Sequence, residues 1–386
     1  MKKYLLSLAT LFITLLTTSV FAENYKIIID AGSTGSRLHL FQYDDVVDGA
    51  VPVVKDFFSV SNKQALSSFV KNPQAAGASL TALLDGAVSQ LKAKQVDTHL
   101  VEINVLATAG MRLLPNDAQS EIYASVLATL QDPEKNYGFK MGHVETISGE
   151  KEALYGWLDI NYLAENFQNH TPTIGSIDMG GASTQIAFAT QDKKKPYEII
   201  SFNLGGQPYN VFAKSFLGLG QDQAREAMTL DALATFCYPA GYQIDSDRFG
   251  YFKFRYCSPL FSKLISKHKV ANQLVSTKNQ KFVAYSGAYY TYNFFAADQT
   301  PEKADFKNKF KDVCKRTWDQ LKLDYPNVDP KYISSYCANA VYMTDLFYDT
   351  YQLGKGQLSV SAKINGKSID WTLGAMLFDV IQQNKK

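Results

Sequence analysis

Cysteine, histidine and net charge are scarce in this sequence. Its four cysteines, Cys237, Cys257, Cys314 and Cys337, all fall in the second half, and five histidines are spread over 386 residues. The cysteine spacing fits no zinc pattern, and no histidine stands beside them at ligand spacing, which argues against a zinc site. The formal charge is +2, and Lys2 and Lys3 account for it. The neutral remainder offers no attraction to nucleic acid or to an acidic lipid surface. Beyond residue 22, no apolar run is long enough to cross a bilayer.

What is present starts at the N-terminus. Met1–Ala22 has the layout of a secretory signal peptide: Lys2 and Lys3, an apolar stretch over Leu5–Leu16, and Val20-Phe21-Ala22 before the expected cleavage. No cysteine follows the apolar stretch, so no lipid anchor is expected. The cleaved protein should be secreted or periplasmic, with no membrane association. In an oxidising compartment an even cysteine count implies two disulfides. Three pairings are open. The simplest is sequential, Cys237–Cys257 and Cys314–Cys337, each closing a loop of about twenty residues worth ~3 kcal/mol in the chain-entropy description.

Two stretches share one layout. In the first, Ile27-Ile28-Ile29 forms a buried strand ending at Asp30, Gly32 and Gly35 bracket a turn carrying Ser33 and Thr34, and Ser36-Arg37 starts a return strand. In the second, Ile177 leads into Asp178, Gly180 and Gly181 turn the chain, and Ser183-Thr184-Gln185 starts the return. Each is a β-hairpin whose tip offers N–H groups and hydroxyls to an anion, with a carboxylate at its base for a hard cation. The repetition implies a duplicated domain with a phosphate held between the copies.

Between the hairpins, Leu80, Leu83, Leu84, Ala87, Val88 and Leu91 lie on one helical face. The strand Leu100–Leu106 runs into Ala107-Thr108-Ala109-Gly110, which sets Thr108 at a strand's C-terminal end, where ligands gather in open α/β sheets. Ser148 can cap a helix starting at Gly149, with Glu150 and Glu152 in its first turn.

With these segments in view, the chain resembles the nucleoside triphosphate diphosphohydrolases, or ecto-apyrases. Asp30–Arg37, Ala107–Arg112, Gly149–Trp157 and Asp178–Gln185 are similar to the first four conserved regions of that family, in order, and Trp371–Leu377 is similar to the fifth. The resemblance implies an α/β, actin-like (RNase H-like) duplicated two-domain fold with the active site in the interdomain cleft. The first domain would comprise residues 23–163 with 370–386, and the second residues 164–369. It further implies hydrolysis of terminal phosphates of nucleoside tri- and/or diphosphates with Mg2+ or Ca2+; a monomer is expected. By position, Glu152 would be the base, and Ser183 and Gln185 would hold the attacking water. Asp30, Thr108, Glu152, Asp178 and Trp371 would surround the metal's water shell. Ser33, Thr34, Gly35, Ser36 and Arg37, with Gly180, Gly181, Ala182 and Ser183, would cradle phosphate. Ala153 stands where the family usually has glycine, and Lys151 where it often has an acid.

Aromatic residues, 23 Tyr and 24 Phe, concentrate in the second half, where paired rings can hold a nucleobase. The candidates are Tyr290, Asn293, Tyr342 and Tyr351. Asp349 stands where animal members can carry an arginine near the base, so base preference stays open. Leu358–Ile364 and Lys367–Ile369, around Asn365-Gly366, read as a hairpin, and Ile369–Ile381 reads as a closing helix. Two other functions compete with an apyrase: an exopolyphosphatase-like phosphohydrolase of the same superfamily, and a non-catalytic nucleotide-binding protein. Mass spectrometry of exported protein should find Glu23 as the first residue and no alkylatable thiol. Four reactive thiols in the native protein would contradict the disulfides.

Overall fold

The computed structural model describes residues 23–44, 49–192, 194 and 198–383, so the expected signal peptide lies outside the described residues. Five strands, β1 (Asn24–Ala31), β2 (Ser36–Tyr43), β3 (Val54–Asn62), β4 (Glu102–Ala107) and β5 (Lys140–Thr146), form one sheet in the order β3-β2-β1-β4-β5. Six more, β6 (Gly175–Met179), β7 (Ser183–Ala189), β8 (Ile199–Leu204), β9 (Gln207–Leu217), β10 (Phe282–Ser286) and β11 (Leu358–Val360), form a second in the order β11-β10-β6-β7-β9-β8. The plans coincide. β1 and β6 each pair antiparallel with the strand that follows and parallel with a later one across a crossover. β8 is an addition at the edge of the second sheet.

Strand alternation decides what each face touches. Ile27 and Ile29 of β1 enter a core with the helix Thr81–Ala93, whose Leu83, Leu84, Ala87, Val88 and Leu91 are all buried as the spacing predicts. Ile28 points the other way, into a core shared with the helices Gly149–Leu163 and Trp371–Gln383. In the second sheet, Ile177 and Ile186 face a third core, while Ala187 and Ala213 face the shared one.

The helix Gly149–Leu163 therefore lies between the two halves. Ser148 caps it by accepting a hydrogen bond from the Lys151 N–H at 3.2 Å. Every residue except Glu150 and Lys151 is buried, as expected for a helix packed on all sides. Its crossing with the Trp371–Gln383 helix is a backbone contact: a Cβ on Gly374 would stand 1.8 Å from the Tyr155 carbonyl oxygen. Lys26, almost fully buried in β1, ties the closing helix to the first sheet through ion pairs to Asp379 and, at 3.0 Å, to Glu102.

The hairpin expected over 358–369 is shorter than its sequence suggests. Only Lys363–Ile364 and Lys367–Ser368 pair, around Asn365 and Gly366 at φ 49° and 79°. Leu358 and Val360 are apolar and buried, and their strand instead extends the second sheet, parallel to β10. The closing helix starts at Trp371, because the Asp370 carboxylate accepts from the Thr372 N–H at 3.0 Å. Both disulfides, Cys237–Cys257 and Cys314–Cys337, follow the sequential pairing.

One buried carboxyl far from the hairpins has a consequence for stability. Asp345 is 2% exposed and accepts hydrogen bonds from Ser258 and Ser262 at 3.0 and 3.2 Å. Burial pushes it up to about 7, against the two hydroxyls. The unfolded chain loses this proton near the ordinary aspartate value, and the folded chain holds it to higher pH. Stability should therefore fall between about pH 4 and 7, by at most ~1.4 kcal/mol per unit from this group. Urea unfolding across that range should show a shallower fall for Asp345→Asn than for wild type, and parallel curves would contradict it.

Candidate active site

The two hairpins are built in one register. Asp30 pairs with Arg37 and Ala31 with Ser36; Asp178 pairs with Gln185 and Met179 with Thr184. At the first tip the Gly32 N–H donates to the Gly35 carbonyl at 3.0 Å, and at the second the Gly180 N–H donates to the Ser183 carbonyl at 3.1 Å. The tips face each other, since a Cβ on Gly181 would lie 3.0 Å from Ser33 Oγ and 3.5 Å from Thr34 Cγ2. Alternation puts Asp30 on the same face of β1 as Ile28, and Ser183 and Gln185 on the same face of β7 as Ala187. All of them thus point toward the Gly149–Leu163 helix.

At that helix's first turn, Glu152 is 7% exposed. Its Oε2 accepts from Gln185 Nε2 at 3.1 Å and is ion-paired with Arg112 Nη2. Arg112 Nη2 also donates to Ser183 Oγ at 3.2 Å, and Gln185 Nε2 donates to Ser215 Oγ at 3.0 Å. Burial pushes Glu152 up to about 7, with Arg112 opposing. A carboxyl poised there can take a proton near neutrality. Glu150, two residues earlier, instead faces Lys214 at 3.8 Å with a half-exposed side chain.

Asp30 and Asp178 form an acidic floor. Burial raises both, Asp178 to about 6 against hydrogen bonds from Ser286 and Tyr285, and Asp30 well above its ordinary value, with Asp370 adding repulsion. Each keeps one buried oxygen, Oδ1, without a hydrogen-bond partner. Among the described residues no three acidic, histidine or cysteine side chains converge to coordinate a cation directly. Two unpartnered carboxylate oxygens on opposing hairpins fit a divalent cation held through its water.

Asp370 anchors this floor. Its carboxylate meets Arg37 at 3.3 Å and His39 Nε2 at 3.4 Å, and its N–H donates to Asp159 at 2.9 Å. Burial favours its neutral form, but His39 and Arg37 outweigh burial and hold it well below the usual range. His39 also meets Asp56 at 2.9 Å. Against the cost of burial, its two carboxylates push it up to about 10.

The expected residues are distributed as follows. Ser33 and Thr34 lie at the open tip, whereas Ser36 is buried and donates its hydroxyl to the Gln64 carbonyl at 3.1 Å. That geometry turns the Ser36 hydroxyl away from the cleft. Thr108 is buried beside the first hairpin, its N–H donating to the Ala31 carbonyl at 3.3 Å. Trp371 stacks on Tyr155 with ring centres 6.2 Å apart. Tyr290 and Asn293 are exposed on the helix Gly287–Phe294, which begins where β10 passes Asp178. Tyr342 and Tyr351 are 1% exposed and packed against Phe261 and Phe347, so neither ring has a face open to a base. Asp349 pairs with Lys303. Residues without an assigned role in the sequence are Arg112, Ser215, Tyr285, Ser286, His39 and Asp370. Arg112, His39 and Asp370 stood inside or beside the recognised segments; the others carry no local signal.

Residues 17–238 and 266–386 match the GDA1/CD39 (nucleoside phosphatase) family. Probable apyrase 3 of Arabidopsis thaliana is 26% identical, aligned over 93% of this chain and 83% of its own. Ectonucleoside triphosphate diphosphohydrolase 3 of Mus musculus is 30% identical, over 92% of this chain and 77% of its own. A nucleoside triphosphate hydrolase structure from Neospora caninum superposes with TM-score 0.66 at 15% identity, covering 94% of this chain and 93% of that one. A Ppx/GppA family member of Aquifex aeolicus gives TM-score 0.57 at 15% identity, covering 94% and 99%. These two share the two-sheet, actin-like fold that the resemblance implies. With matching segments running from the first hairpin to the closing helix, the chain belongs to the GDA1/CD39 (nucleoside phosphatase) family.

Proposed function

We propose that the protein is a secreted apyrase that hydrolyses terminal phosphates of nucleoside tri- or diphosphates. The observation that carries this reading is a buried carboxylate, Glu152, hydrogen-bonded to Gln185 and ion-paired with Arg112. It lies between two hairpins whose aspartates each keep a partnerless oxygen. The paired disulfides support an oxidising compartment. The two sheets support a division at about residues 163 and 370, with the Gly149–Leu163 helix packed between the halves.

The tips, Ser33 to Gly35 and Gly181 to Ser183, offer N–H groups to the phosphate oxygens. Asp30 and Asp178 would hold a divalent cation through water, with Thr108 and Trp371 nearby. When bound, that cation neutralises phosphate charge. Ser183 and Gln185 orient a water in line with the terminal phosphorus. As the water oxygen bonds to phosphorus, its proton passes to Glu152, and the bond to the leaving phosphate oxygen breaks. Fixed donors around the reacting group stabilise the charge without reorganising. Tyr290 and Asn293, open on one helix face, are where the base would rest.

Phosphate release from nucleotides should exceed release from polyphosphate. The reverse ranking would favour an exopolyphosphatase, and no release at all a binding protein. Glu152→Gln should lose about 10²- to 10⁴-fold in kcat, roughly 3–5 kcal/mol, while still binding nucleotide. Glu150→Gln should stay close to wild type, since its partner is Lys214. The opposite pattern would overturn the assignment of the base. Asp30→Ala and Asp178→Ala should each abolish hydrolysis, as should excess chelator with the wild type; full activity in chelator would rule out the cation.

A further inference from the structure

Arg112 is the least expected member of the array. It ends the short helix Ala109–Arg112 behind β4, on the first sheet, whereas Ser183, Gln185 and Ser215 belong to the second. Among the described residues, no other side chain from the first sheet or its connections hydrogen-bonds to Glu152, Ser183 or Gln185. Its turn also abuts the first phosphate tip: a Cβ on Gly110 would stand 2.9 Å from Ser33 Cα.

An arginine on a base is a puzzle, because it stabilises the charged form and weakens proton uptake. Geometry supplies the compensation. Arg112 and Gln185 both engage Oε2 of Glu152. Two donors on one oxygen leave Oε1 as the better proton acceptor. The same Nη2 holds Ser183 Oγ, so one nitrogen fixes both the base and a water-orienting hydroxyl.

Gly149 explains how the guanidinium fits. Its backbone has no positive φ, so the turn does not require glycine. A Cβ there would lie 2.3 Å from Arg112 Nη1 and 2.2 Å from Ser215 Cβ. The glycine three residues before the base is thus a packing slot for Arg112 and Ser215.

We propose that Arg112, seated in the slot at Gly149, is a positioning residue that clamps Oε2 of Glu152 and Ser183 Oγ across the cleft, so that Oε1 receives the proton. The proposal rests on Glu152 being the base. It differs from a phosphate-binding role, in which the guanidinium would leave Glu152 for the substrate.

The test is a double-mutant cycle of Arg112→Met and Glu152→Gln, with kcat, KM and the affinity for a non-hydrolysable nucleotide analogue measured for each. Arg112→Met should lower kcat roughly 10²-fold, the order of cost for a misplaced reacting group, with analogue affinity little changed. In the Glu152→Gln background it should cost far less, because only Ser183 Oγ is left for the arginine to position. Multiplicative losses with an inactive Glu152→Gln would overturn this proposal alone. A near-wild-type Glu152→Gln would overturn the base and the proposal together. Weakened analogue binding with unchanged kcat would make Arg112 a phosphate ligand and also overturn it. Should Arg112→Met not fold, Gly149→Ala decides: it should lower kcat with analogue affinity retained, and an unchanged kcat would refute the slot.

Discussion

The backbone contact between Gly374 and the Tyr155 carbonyl is the constraint on which the rest depends. It sets how deeply the closing helix sits against the Gly149–Leu163 helix, and so where Asp370 and Trp371 lie relative to Glu152. Any side chain at 374 would lift the closing helix and pull Asp370 from Arg37 and His39. Gly156 continues the same logic on the opposite side, since a Cβ there would stand 2.2 Å from the Tyr285 hydroxyl. Two glycines on facing elements let three layers meet, and the carboxylates gather where they meet.

Duplication explains why this chemistry needs both halves. Identical registers place Arg37 and Gln185 in equivalent positions, each opposite an aspartate. The two have diverged: Gln185 hydrogen-bonds the buried carboxylate Glu152, whereas Arg37 balances Asp370 and Asp30. One copy holds a buried carboxylate from the helix between the halves, and the other balances charge.

The sequence made legible what is local. Asp, Gly and hydroxyl residues repeat at fixed offsets, so the hairpins could be read directly, and Ser148 announced its helix. The sequential disulfides were the simplest of three open pairings, and the structure has them. Contacts between distant segments were not legible. Ser215 matters through its pairing opposite Gln185 and has no neighbouring motif; Asp370 directly precedes the Trp371–Leu377 segment, but matters through reaching the distant His39 and Arg37. Tyr342 and Tyr351 were misjudged because aromatic density does not say which way a ring points: both turned into the core of the second half. Ser36 belonged to the right motif, but strand alternation directs its hydroxyl to Gln64.

The closing helix also governs the order in which the molecule can be completed. It covers the Ile28 face of the first sheet, and Lys26 meets Asp379 there, yet roughly 340 residues of chain separate β1 from that helix. At about 5–20 residues per second, that apolar face waits roughly 20–70 s for its cover. A nascent chain of this architecture therefore carries an unfinished surface until the closing helix emerges, and the first half gains its full stability only after that.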